Sequence, residues 1–162
     1  MTYIPPTDDM KFALRYLAGF DDVTALPAFT DTGLDLADAV IDEAAKLAAD
    51  VIAPLNHASD LKGAAYSDKD SSVQTPDGFA DAYRAMAEGG WTSMEAEEAF
   101  GGQNMPMALS APVNEMWQSA SLSFALCHLL TQGQIYALQK SASQVQKQIF
   151  VPPMVEGRWT GT

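Results

Sequence analysis

The run from Ser110 to Leu138 constrains this chain most. It is the longest mostly apolar stretch, and Glu115 is the only formal charge in it. Apolar residues fall at Val113, Met116, Trp117, Ala120, Phe124, Cys127 and Leu130, in the three- and four-residue steps of a helix. Leu122, Ala125, Leu126 and Leu129 fill much of the remaining circumference. A helix apolar nearly all round is buried on several sides, so this segment is expected to be a central pillar. Ser119, Ser121, Ser123 and His128 make it a poor transmembrane span. A break is expected at Gly133, with Gln134–Gln139 resuming the helix.

The flanking segments carry the same period. Thr32–Leu55 reads as an amphipathic helix with Leu36, Val40, Ala44, Leu47, Val51 and Leu55 on one stripe and Ala37, Ile41, Ala48 and Ile52 beside it. Pro54 is expected to end or kink it, because proline lacks the amide that the next turn needs. Thr7 is placed to cap a short helix that stops at Gly19, after an extended arm over residues 1–6. Asp21–Phe29 reads as a loop or weak turn, and Asn56–Thr75 as a long polar surface loop. Thr75 and Pro76 open a helix with Phe79, Ala82, Tyr83 and Met86 on its apolar face, closed by Gly89-Gly90. Phe100-Gly101-Gly102 is a turn. Ser143 and Gln146 have capping-box spacing, with Val145, Ile149 and Phe150 expected inward and Pro152-Pro153 expected to break or kink that helix. The expected fold class is all-α, a helical bundle of about five helices around the pillar with little or no strand.

Charge narrows the partners. The net charge is −12, with only 9 Lys and Arg residues. Phosphate backbones and anionic membrane surfaces are bound by clustered cations, so neither nucleic acid nor a membrane is expected as a partner. The one cysteine, Cys127, rules out an internal disulfide and fits a reducing, cytoplasmic compartment. The N-terminus is acidic early and lacks the basic-then-apolar pattern of a leader.

No residue pattern spells out a reaction. His128 on the apolar pillar reads as a core or interface histidine, and Cys127 as a small buried hydrophobe rather than a nucleophile. His57 reads as solvated. Glu95, Glu97 and Glu98 offer carboxylates, but their spacing fits a solvated loop. Gly101-Gly102 lacks the spacing of a phosphate-binding loop. Met105 and Met107 read as packing.

The segments nevertheless come in a specific order. After the arm YIPPTDDMKFAL come APLN at Ala53–Asn56, TPDGFADAYRAMAEGGW at Thr75–Trp91 and FGGQNMP at Phe100–Pro106. Then follow NEMWQSASLSFAL at Asn114–Leu126, LTQGQIYAL at Leu130–Leu138 and QVQKQIFVPPMVEGRWTGT at the end. This set resembles the N-terminal helical half of acyl-CoA dehydrogenases, in particular the bacterial branch acting on 3-methylmercaptopropionyl-CoA and related short or medium thioesters. Departures occur at Glu95–Ala99, where relatives carry a proline, at Ser141–Ser143, and at the doubled Pro152-Pro153.

The resemblance implies residues 1–31 as an N-terminal extension and 32–162 as the family's helical domain. It implies FAD as cofactor, an acyl-CoA substrate, an electron-transfer acceptor and a homo-oligomer. It places the catalytic base, the flavin contacts and the CoA contacts in segments beyond Thr162, so the chain is expected to be truncated and inactive alone. What is left to this chain is one wall of the acyl pocket, near Leu126, Cys127, Leu130 and Thr131, whose role is shape. The competing expectation is a non-catalytic helical interaction module or remnant.

Overall fold

A computed structural model describes residues 3–161; Met1, Thr2 and Thr162, and with them part of the expected N-terminal arm and the final residue of the WTGT ending, lie outside the described residues. The order of elements is α1 (Thr7–Tyr16), α2 (Phe20–Thr24), α3 (Leu34–Lys46), a π-helical segment (Leu47–Ile52), α4 (Ala53–Lys62), β1 (Ala65–Ser67), β2 (Ser72–Gln74), α5 (Phe79–Glu88), two 3₁₀ turns (Trp91–Ser93 and Glu98–Phe100), α6 (Met107–Ala120), α7 (Leu122–Ser141) and α8 (Gln144–Val155). The all-α class holds. The one sheet is a two-stranded antiparallel hairpin pairing Tyr66 with Val73.

The pillar is two helices, not one. Ser121 takes an extended backbone (φ −161°, ψ 100°) and serves as the last residue of one helix turn and the first of the next. Its amide donates to the Trp117 carbonyl at 3.0 Å and its carbonyl accepts from the Ala125 amide at 3.0 Å. A serine competes well for such a position because its hydroxyl can bond locally, here within 3.3 Å of the Ser123 hydroxyl. Gly133 does not interrupt α7, which runs through it. The reversal at Ser121 folds α7 back against α6, so α7 buries one face only: Phe124, Ala125, His128, Thr131, Ile135 and Gln139. Leu122, Leu126, Leu129 and Leu130 stay exposed, against the expectation of burial all round.

The α3 helix and its continuation also pack by a different stripe from the one its larger side chains suggest. Ala37, Ile41, Ala44, Ala48 and Ile52 are fully buried, whereas Leu36 is 42% exposed. They join Leu109, Val113, Met116 and Trp117 of α6 in one core cluster. Three of the five are alanines. Small side chains let two helix axes approach, and the larger Val40, Leu47 and Val51 then close the flanks. Pro54 does not end the helix. The wider π turn sits immediately before it, where a proline would otherwise crowd the preceding carbonyl, and helix continues to Lys62. The polar stretch expected as loop therefore holds most of α4 and the hairpin. Likewise Phe20–Thr24 is a short helix, and Gly19, left-handed at φ +62°, starts it instead of stopping α1. The helix expected to open at Thr75-Pro76 begins at Phe79 after Gly78.

At the other end, Ser143 and Gln146 form the capping box: the Gln146 amide donates to the Ser143 hydroxyl at 3.3 Å, and the Ser143 amide donates to Gln146 Oε1 at 3.0 Å. Pro152 and Pro153 lie inside α8, which continues to Val155. Val151, Pro153, Met154 and Val155 point inward, whereas Val145, Ile149 and Phe150 are exposed. The helix meets α7 and the 3₁₀ turns along its C-terminal half, which selects that face. After α8 the chain makes turns and bends, with no strand among the described residues.

His128 is a core histidine, as its place on an apolar helix suggests. It is 3% exposed, its ring meets Trp117 edge-on at 5.2 Å, and Trp117 in turn meets Trp91 at 5.5 Å. Its Nε2 has no hydrogen-bond partner. Burial therefore penalises the cation and pushes the imidazole down from 6.5 to about 4.

Two outcomes are expected. Ile41→Ala should lower the unfolding free energy by about 2–5 kcal/mol in urea titrations, while Leu36→Ala on the open stripe should cost under about 1 kcal/mol. The folded His128 binds its proton less readily than the unfolded chain does, so its contribution is complete above pH 6.5 and is lost as pH falls towards about 4. At roughly 1.4 kcal/mol per pH unit this comes to about 3 kcal/mol. Stability of His128→Phe measured beside the parent chain across that window should lack this component.

Candidate functional site

The four pocket-wall residues all stand on α7, but they do different things. Leu126 and Leu130 are 42% and 48% exposed and form, with Leu122 and Leu129, an open apolar face. Thr131 is buried. Its hydroxyl donates to the Cys127 carbonyl at 2.7 Å, one turn back, and accepts the Gly161 amide at 3.1 Å. That second bond fastens the last described residues onto α7 beside the open face. Gly161 packs against the Gln134 side chain so closely that a Cβ there would clash with it.

Cys127 is exposed, not the buried hydrophobe that its apolar neighbours suggest. An α7 that buries one face leaves position 127 on the rim. The partial cover that the thiol does have pushes its pKa up, opposed by a hydrogen bond from Thr160. It is held as a thiol at neutral pH, which is the wrong direction for a nucleophile.

Cys127 also lines a groove of about 500 Å³ between α4, the hairpin roots, α5 and α7. Pro76, Phe79, Ala80 and Phe124 give it apolar walls, Gly63, Ala64 and Thr75 its rim, and no lining residue is charged. Phe79 and Phe124 meet edge to face at 5.4 Å, which fixes the floor. Tyr83 lines the groove too. Its hydroxyl is buried without a hydrogen-bond partner, and burial first, then the neighbouring Cys127, raises its pKa. Of the four residues named from sequence, only Cys127 reaches this groove. Its α5 side was not foreseen; the available signal was a tyrosine hydroxyl among the apolar positions of a short helix.

A second cleft of about 270 Å³ is polar, lined in part by Glu95, Glu97, Asn104, Gln132, Gln139 and Lys140. Met105 packs against the core, whereas Met107 is exposed. His57 is exposed on α4. Among the described residues no group of three His, Cys, Asp or Glu is gathered to hold a metal, and no helix is long and apolar enough to cross a membrane.

The open face of α7 does not fit the phosphates of a dinucleotide such as FAD. From Leu122 to Gln139 it carries no Lys or Arg, and Lys140 lies over the Tyr136 ring at 5.6 Å. Pyrophosphate sites need oriented amides or cations. What this face offers is an uncharged surface for an apolar ligand.

Comparison with known proteins agrees with that. Residues 35–158 match the model of the acyl-CoA dehydrogenase N-terminal domain. The whole chain is 35% identical to 3-methylmercaptopropionyl-CoA dehydrogenase of Ruegeria pomeroyi, covering 27% of that protein. It is 32% identical to a butyryl-CoA dehydrogenase of Syntrophomonas wolfei over 99% of the chain and 26% of the relative. A broad-specificity linear acyl-CoA dehydrogenase of Mycobacterium tuberculosis is 30% identical over 66% of the chain. The chain thus spans about a quarter of the length of the first two relatives. With its helical core, its open apolar wall and a domain match over most of its length, the chain belongs to the acyl-CoA dehydrogenase family, and to the N-terminal domain of that family.

Proposed function

We propose that this chain is the N-terminal helical domain of an FAD-dependent acyl-CoA dehydrogenase, which removes two hydrogens from the α and β carbons of an acyl-CoA thioester. Residues 32–162 form the domain, and residues 1–31 are an extension whose Met10, Leu14 and Phe20 share its core. Leu126, Cys127, Leu130 and Thr131 supply one wall of the acyl pocket. The observation that carries this reading is the uncharged apolar face of α7 in a chain of net charge −12, on a domain matched to this family. An acidic surface with a neutral wall admits an acyl tail and leaves the anionic CoA to contacts elsewhere. FAD, when bound, supplies the hydride acceptor. The residues here exclude water and position the tail; they hold no group suited to take the α-proton. The intact protein is cytoplasmic and homo-oligomeric, and passes its electrons to an electron-transfer acceptor.

The intact protein should purify yellow, and a short or medium acyl-CoA should bleach it anaerobically; a colourless protein that turns over no acyl-CoA would sink this reading. The 162-residue chain by itself should be colourless and reduce no dye, because one apolar wall offers no preorganised electrostatics. Its open face and the half-exposed Trp159 should make it self-associate. Sedimentation should show that association reduced in the Leu126→Lys, Leu130→Lys double variant.

A further inference from the structure

The groove beneath the hairpin has features that a plain wall does not need. Its volume of about 500 Å³ is that of a small-ligand site. No charged residue lines it, although the chain carries 21 carboxylates. Its mouth at Cys127 opens beside Thr160, next to the Thr131–Gly161 bond that anchors the end of the described chain. The groove is therefore continuous with the apolar face assigned above to the acyl pocket. Inside it, the Tyr83 hydroxyl is buried without a partner. A buried hydroxyl left without a bond is rare in native proteins and calls for an acceptor from outside the chain.

We propose that this groove seats the far end of the acyl chain, and that Tyr83 selects uncharged chains carrying a hydrogen-bond acceptor there, such as a thioether sulfur or an ether oxygen. The proposal rests on the functional reading above and adds its specificity. A chain ending in a carboxylate is rejected, because the lining offers no cation to replace its lost hydration. A plain alkyl end enters and leaves Tyr83 unpartnered, so it binds less well. Phe79 and Phe124 close the floor and limit the length of tail that fits.

Cys127 is the chain's one cysteine and stands at the mouth, so its alkylation reports occupancy. Iodoacetamide labelling of the Cys127 peptide, followed by mass spectrometry, is measured with three probes: methyl 3-methylmercaptopropionate, methyl pentanoate, in which a methylene replaces the sulfur, and pentanoate anion. Both esters should slow labelling several-fold, and the anion should not. The thioether should protect at a concentration roughly 2- to 10-fold lower, the range of one ordinary hydrogen bond. Tyr83→Phe should erase that preference while both esters still protect, and Ala80→Phe, which fills the groove from its rim, should abolish protection. Failure of both esters to protect, equal protection by the anion, or a thioether preference retained in Tyr83→Phe would overturn the proposal. Acyl-CoA turnover by the intact protein that Ala80→Phe leaves unchanged would also overturn it, while the functional reading stands. Ester protection in an intact protein without any turnover would remove the functional reading and with it the acyl assignment.

Discussion

The fold depends on how α6 meets its neighbours at Trp117. That indole is fully buried, with Trp91 edge-on from the first 3₁₀ turn and His128 edge-on from α7. Three elements far apart in sequence are thereby set against one another at a single place. The contacts are individually worth about 0.5–1.5 kcal/mol beyond the area they bury, but their geometry is more consequential than their energy. Trp117 sits four residues before the reversal at Ser121, and the Ser121 amide is bonded to its carbonyl. The ring therefore fixes the angle at which α7 returns, and with it the face that α7 leaves open.

That open face explains the local chemistry. With one side of α7 committed to Trp117 and α6, the opposite side has no helix of this chain to cover it. Leu122, Leu126, Leu129 and Leu130 are left in solvent, a placement that an isolated domain has no stability reason to keep. Thr131 works in the other direction. Its hydroxyl is saturated by one acceptor in its own helix and one donor from Gly161, so a residue at the boundary of the open face ties a passing segment to the helix. A methyl in place of that hydroxyl would leave the Gly161 amide, itself buried, without an acceptor.

Helix period was legible in the sequence and helix facing was not. The three- and four-residue spacings at Val113–Leu130 and Leu36–Leu55 do mark helices. Which arc turned inward was decided by tertiary packing: the alanines at 37, 44 and 48 allow close approach to α6, so the leucines beside them became flanks. The same failure recurs in α8, where Val151 and Val155 won over Val145 and Ile149 because only the C-terminal half has neighbours. The break at Ser121 was hidden by the apolar residues on both sides of it, and Gly133 was a false signal because a glycine facing open space is tolerated within a helix. Of the site, Cys127 was legible as a wall residue and its exposure was not. The groove itself combines α5 with α7, some forty residues apart in the chain, and no spacing within either helix reports that pairing.

The hairpin shows what a locally costly feature contributes. A two-stranded ribbon with Tyr66 and Val73 both in solvent has little independent stability. It is held at its roots, by the left-handed Gly63 on one side and by Thr75 and Pro76 on the other, and those same roots form the rim of the groove. Lys62, just before the first root, pairs with Asp77 just after the second at 2.6 Å. That pair is exposed and adds little energy, but it brings the two ends of the excursion together over α5. Without the excursion, α4 would leave Pro76, Phe79 and Tyr83 as an uncovered helix start. With it, the same residues become the side of an enclosed slot, so a ribbon that contributes almost nothing to the core determines that the domain has a groove there.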